Sequence, residues 1–190
     1  MSRRVIFPDT TVLINFGLID AMDLLATLVD GMGAWSASVA SECDDQSDRW
    51  GLPCMLKAHD IFGEPLRLKT QAEYLDYRAN KDFFTSASNN SAATHEGESE
   101  TLAIITRRCL NSLVVSDDGS VHTRVISYTM GGVVQTCTTW DMLRVAYWKG
   151  YITEGSFWAM RRTLLDNDRA HPPVVHDPDE FAKWIRHPVQ

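Results

Sequence analysis

A chain of 190 residues, 44% hydrophobic and 23% charged, has the length and apolar content for one domain with a full core. A formal net charge of -7 excludes a protein that grips nucleic acid through a broad basic surface, but not a local basic groove beside clustered acids. No apolar run approaches the roughly 18 residues that span a bilayer. Met1-Ser2-Arg3-Arg4 leads straight into the first apolar run without a signal-peptide pattern, so a cytoplasmic protein with no membrane partner is expected.

The first run, Val5-Ile6-Phe7-Pro8, reads as a buried strand that stops at Asp9. Thr10 and Thr11 follow, and either hydroxyl can cap the helix predicted from about Thr11 to Leu18. A second helix restarts at Asp20 and ends at Gly31 and Gly33. Ala34-Trp35-Ser36 is a candidate short strand, and Val39-Ala40-Ser41-Glu42 opens the next helix or turn. From Gln46 to Leu66, Gly51, Pro53, Gly63 and Pro65 break every periodicity; Leu66-Arg67-Leu68-Lys69 alternates like an edge strand. Helical spacing returns from Glu73 to Phe84. Ser86 to Ala93 is small and polar, the composition of a mobile loop.

Glu98 to Ile105 starts a clear helix after Gly97, with Arg107 and Arg108 in its last turn. Leu113-Val114-Val115-Ser116 is a second apolar strand ending in Asp117-Asp118-Gly119. Further helices are predicted over Val121–Tyr128, Asp141–Lys149, Ser156–Leu165 and Asp177–Ile185, with Val133-Val134 as a third strand followed by Thr136-Cys137-Thr138. Strands alternating with helices predict an α/β fold with a mainly parallel sheet. Cys43, Cys54, Cys109 and Cys137 form no CxxC pair, so reduced thiols are expected.

Asp9, Glu98 and Asp117-Asp118 each place a carboxylate just after a strand or at a helix start, and Glu42 is a fourth candidate. Taken singly, each reads as a cap or a turn residue. In open parallel sheets, however, ligands bind outside the carboxyl ends of the strands, where these acids converge. Gathered carboxylates repel one another unless a cation sits among them. Ligation by acids alone suits Mg2+ or Mn2+, and the chemistry then expected is phosphodiester hydrolysis. His95, beside Glu96 and Glu98, is a further candidate ligand or base.

The pieces Asp9-Thr10-Thr11-Val12-Leu13-Ile14, Val39-Ala40-Ser41-Glu42, Gly97-Glu98-Ser99-Glu100-Thr101-Leu102-Ala103 and Val114-Val115-Ser116-Asp117-Asp118 occur in the order in which the PIN-domain ribonucleases have their motifs. The chain resembles that family, in particular the small prokaryotic toxins of the VapC type, over roughly residues 4 to 152. The resemblance implies a three-layer α/β/α sandwich and an Mg2+- or Mn2+-dependent endoribonuclease, the toxin of a toxin–antitoxin pair. It implies an RNA substrate, a protein antitoxin and a homodimer as partners. Carried over by position, Asp9, Glu98 and Asp118 hold the metal; Asp117 is the alternative at the third acid, and Glu42 is an auxiliary acid. Thr10, Thr136 and Thr138 support the site, and Arg124 is the preferred phosphate contact. The chain exceeds a minimal member by an insertion around 46–95 within the nuclease domain, 1–152, and by a helical extension, 153–190, expected to pack on the same domain.

Other readings stay open. A PIN-like protein without catalysis would bind RNA or protein with the same fold. Phosphatases of the haloacid-dehalogenase type require a second aspartate where this chain has Thr11, and receiver domains order their acids differently.

Overall fold

Three short strands carry the architecture. β1 (Val5–Pro8), β2 (Ser112–Val115) and β3 (Val134–Cys137) run parallel in the order β1-β2-β3, with Val5 opposite Ser112 and Ser112 opposite Val134. The computed structural model describes residues 4–87, 95–128, 133–169 and 172–187. Between and after the strands come helices α1 (Thr10–Leu18), α2 (Met22–Val29), α3 (Ala37–Trp50), α4 (Ala58–Phe62), α5 (Gln71–Ala87), α6 (Glu96–Arg107), α7 (Gly119–Tyr128), α8 (Thr139–Trp148), α9 (Glu154–Asp166) and α10 (Pro178–Arg186). Three-residue-per-turn segments cover Pro53–Lys57 and Pro173–Val175.

Successive side chains of a strand point to opposite faces, and the sequence exploits this. Ile6, Leu113 and Val115 enter one apolar cluster with Leu13 and Phe16 of α1, Leu25 of α2, Leu143 of α8, Phe157 of α9 and Phe181 of α10. Phe7, Val114 and Val134 enter the other, with Phe84 of α5, Leu102 and Ile105 of α6, and Val121 and Val125 of α7. The result is an α/β protein with helices on both faces of an open parallel sheet. α9 and α10 contribute fully buried residues to the first cluster, so residues beyond 152 share its core.

Two expected strands shrink to single bridges, Ile6 to Gly33 and Ser36 to Leu66. The chain leaves the sheet early because its next residues have other partners. Trp35 is buried and its indole N–H donates to the Gly63 carbonyl, while the Ser36 hydroxyl accepts from the Val39 N–H and starts α3. At Leu66–Lys69 the ladder stops after one rung because its partner segment enters α3 at Ala37, and the Glu73 carboxylate then takes the N–H groups of Lys69 (2.5 Å) and Thr70 (2.9 Å). The unreadable stretch after Gln46 begins with more helix: α3 runs to Trp50 and closes on Gly51 at φ +62°, a backbone geometry that suits glycine. Thr136 lies inside β3 instead of following it. Of the segment expected to be a mobile loop, residues 88–93 lie outside the described residues, as does the Gly131-Gly132 break.

Glu73 also ties two helices together. Only 3% exposed, it accepts from Arg108 Nε at 2.8 Å, and Arg108 further donates to the Arg67 carbonyl. The Arg108 guanidinium, with the two backbone N–H groups, holds the Glu73 carboxyl down at about 2 against an ordinary 4.5. A depressed acid stabilises the fold fully above its unfolded value, and that contribution is lost as pH falls from 4.5 through about 2. Glu73→Ala leaves Arg108 without its carboxylate and is expected to cost about 3 kcal/mol in urea unfolding at pH 7. In the same titrations the variant loses part of the acid-side slope of the wild type.

Candidate metal centre

The parallel pairing sets the ends of β1 and β2 side by side. Pro8 stands opposite Val115, and the Asp9 N–H donates to the Val115 carbonyl at 2.8 Å. Asp9 therefore meets Ser116, Asp117 and Asp118 at one sheet edge. Asp9 is also the residue before the first turn of α1, with extended backbone (φ -91°, ψ 158°). Neither threonine caps that helix. Their hydroxyls serve carboxylates: Thr11 Oγ1 donates to Asp9 Oδ2 at 2.8 Å, and Thr10 Oγ1 donates to Glu42 Oε2 at 2.6 Å. Ser116 Oγ donates to the same Asp9 oxygen at 3.0 Å.

Glu42, on α3, faces the start of α6, where its Oε1 accepts the Gly97 N–H at 3.2 Å. Position 97 has no room for a side chain: a Cβ there would stand 2.8 Å from Val39 Cγ2 and 3.1 Å from Glu42 Oε2. Glycine thus lets α3 and α6 close on each other and brings Glu42 near Glu98. Burial, with repulsion from Asp9, Glu42 and Asp118, pushes the Glu98 carboxyl up to about 8. Burial likewise raises the pKa of Asp9 and Glu42. These groups carry the mutual repulsion expected of acids sharing a site.

Among the described residues, one trio of potential metal ligands has its ligand atoms all within 4.8 Å of one another: His95, Glu98 and Asp118. Asp9 stands beside this trio and interacts electrostatically with Glu98 and Asp118. Asp117 points elsewhere. Its Oδ1 accepts the Thr139 N–H (2.9 Å), and its Oδ2 accepts the Thr139 hydroxyl (2.5 Å) and the Asn15 amide (2.7 Å). Its oxygens are committed to holding α1 and α8 together, so that Asp118, and not Asp117, is the aspartate grouped with His95 and Glu98.

Two expected supporting residues and the expected phosphate contact also have other work. Thr136 Oγ1 pairs with His122 Nδ1 at 2.7 Å, and His122 Nε2 donates to the Ser116 carbonyl at 2.8 Å. His122 is therefore a half-buried brace under the Asp117-Asp118 turn. Thr138 caps α8 in a reciprocal arrangement with Asp141. Arg124 donates through Nε and Nη2 to Asn80 Oδ1, both at 3.1 Å, and lies 4.5 Å from the Phe83 ring. It anchors α7 to α5.

Sequence reasoning missed Asn15, Thr139 and Arg169. Arg169, just after α9, donates through Nε to Asn15 Oδ1 at 2.5 Å and through Nη2 to the Thr11 carbonyl at 3.4 Å. A polar Asn15 within the apolar run Val12–Phe16, fully buried in the structure, was the one signal in the sequence. Asp9, Thr10, Glu42 and Glu98 line a shallow depression of about 350 Å3, whose rim adds Arg49, Trp50 and Arg169. The Arg169 guanidinium lies 5.6 Å from the Trp50 ring.

Such an edge can gather a hard cation, orient a phosphate beside it and offer an aromatic surface to a planar group. Compared with protein-family models, curated proteins and solved structures, the chain has no match in any of the three. No described helix is long and apolar enough to cross a membrane.

Proposed function

We propose that this chain is an Mg2+- or Mn2+-dependent endoribonuclease of PIN-like fold, the toxin of a toxin–antitoxin pair. The observation that carries the reading is the convergence of Asp9, Glu42, Glu98 and Asp118, with three of their pKa values raised. Unneutralised, such a cluster is costly; a divalent cation removes the cost, and the oxygen donors suit a hard ion. Asp9, Glu98 and Asp118 would hold it. A divalent ion in that place supplies water activation at neutral pH and charge stabilisation for the leaving oxygen.

The remaining residues bind and position. Thr11 and Ser116 hold the Asp9 carboxylate, and Thr10 holds Glu42. Arg49 and Arg169 stand where an incoming phosphate would pass, and Trp50, 39% exposed, offers a stacking face for an unpaired base. Loss of one stacked base costs about 1–3 kcal/mol. Trp50→Ala is therefore expected to raise KM for single-stranded RNA about tenfold, with kcat within about twofold. In this reading an antitoxin inserts a basic side chain into the acidic depression, and a homodimer is the assembly.

The test is cleavage of a mixed-sequence single-stranded RNA by purified protein with Mn2+, with Mg2+ and with EDTA. Cleavage restricted to the metal-containing samples supports the nuclease. Absence of both cleavage and calorimetric metal binding would replace it with a non-catalytic RNA- or protein-binding module.

A further inference from the structure

We propose that His95 is a ligand of the ion at this acidic edge, giving the site one nitrogen donor and a preference for a first-row transition ion such as Mn2+ over Mg2+. The proposal rests on the metal-site reading above.

The ring is held in place but makes no hydrogen bond among the described residues. His95 stacks on Phe84 of α5, with centroids 5.6 Å apart and planes 29° apart. Its side chain is only 10% exposed, and its Nε2 is buried with no hydrogen-bond partner among the described residues. The other nitrogen, Nδ1, faces Glu98 Oε1 at 3.7 Å, too long for a hydrogen bond. Two ligands of one ion, each about 2.0–2.2 Å from it, stand about 3–4 Å apart, which matches that gap.

The backbone points the same way. His95 precedes α6 in the left-handed region, at φ 47° and ψ 33°, and its side chain makes no cap hydrogen bond. A residue with a Cβ is disfavoured there by about 1–2 kcal/mol. Serine, aspartate or asparagine would cap the helix better. Strain at a non-capping, buried residue directed at two carboxylates fits a liganding role.

The consequence concerns ion choice. Mg2+ favours oxygen donors and retains water, so an imidazole adds little to its binding. Transition ions accept mixed nitrogen and oxygen ligands.

The experiment uses the full chain with Mn2+ alone as the probe. Pulsed electron paramagnetic resonance of bound Mn2+ reads a directly bonded 14N, and calorimetry reads affinity. The wild type is expected to show 14N coupling. His95→Asn, which tolerates the left-handed backbone, and His95→Ala are both expected to lose it and to bind Mn2+ about tenfold or more weakly. Mg2+ affinity is expected to change less than about twofold. Circular dichroism and melting curves establish that both variants fold. Mn2+ bound to the wild type without 14N coupling, and with equal affinity in His95→Asn, overturns the proposal and leaves the acidic metal site standing. No Mn2+ binding by the wild type overturns the metal site itself and this proposal with it.

Discussion

Asp9→Asn is expected to lower metal-dependent RNA cleavage by about 10³-fold or more, with the fold retained. Asparagine is nearly isosteric with aspartate, and the contacts around position 9 tolerate it. Oδ2 is where Thr11 and Ser116 donate, and an amide oxygen in that place accepts both bonds. What disappears is one negative charge at the meeting point of β1 and β2. Asp9 is among the electrostatic neighbours of both Glu42 and Glu98, so its loss weakens the whole cluster's hold on a cation. A melting temperature at or above that of the wild type, measured without metal, separates a site effect from a folding effect. Wild-type cleavage rates in Asp9→Asn would remove Asp9 from the site.

The second large effect is on stability and runs against function. The Glu98 carboxyl stands at about 8 in the folded protein, against an ordinary 4.5. The folded state therefore holds this proton more tightly than the unfolded chain does. Its contribution to stability is fully present below 4.5 and is lost as pH rises through about 8. Metal-free protein is expected to melt at a progressively lower temperature across that window. Glu98→Gln keeps the neutral form at every pH and removes the slope. At pH 8 it is expected to be more stable than the wild type by about 3 kcal/mol, or about 5 °C or more in melting temperature. Millimolar Mn2+ should narrow the difference by stabilising the wild type alone, because an ion that binds only the folded state raises its stability. Parallel melting curves of the two proteins from pH 5 to pH 8.5, with no metal, would contradict the assignment of the strained carboxyl to Glu98.

Both expectations start from residues legible in the sequence alone. An apolar strand that stops at an acid leaves that acid at a sheet edge, and this placed Asp9 and the Asp117-Asp118 pair. The choice within the pair was legible only in part. The family resemblance favoured Asp118, but the two aspartates differ in space: Thr139 and Asn15, far apart in sequence, absorb Asp117. Adjacent hydroxyls were harder. Thr138 and Thr139 differ by one position, and only the direction of α8 decides which caps the helix and which bonds Asp117. The same problem misplaced Thr10 and Thr11 as caps, since a hydroxyl before a helix looks alike whether it bonds a backbone N–H or a carboxylate.

Arg169 had no local signature at all, because its partners lie on α1. Leu66–Lys69 carried the alternation of a strand but lost its partner where the chain after Ser36 turns into α3, an event that no period in Leu66–Lys69 records.

The reach of Arg169 to Asn15 crosses 154 positions of the chain, and β1 finds its first partner strand only when residue 112 is available. Long-range pairings of this kind form late and slowly. On a ribosome the first acid therefore emerges long before the residues that complete its surroundings. Synthesis itself imposes a delay: a nascent chain carries Asp9 well before Asp118, the last of the gathered acids, has left the exit tunnel, and the Arg169 contacts follow later still. A partner able to bind the incomplete chain would have that interval in which to act.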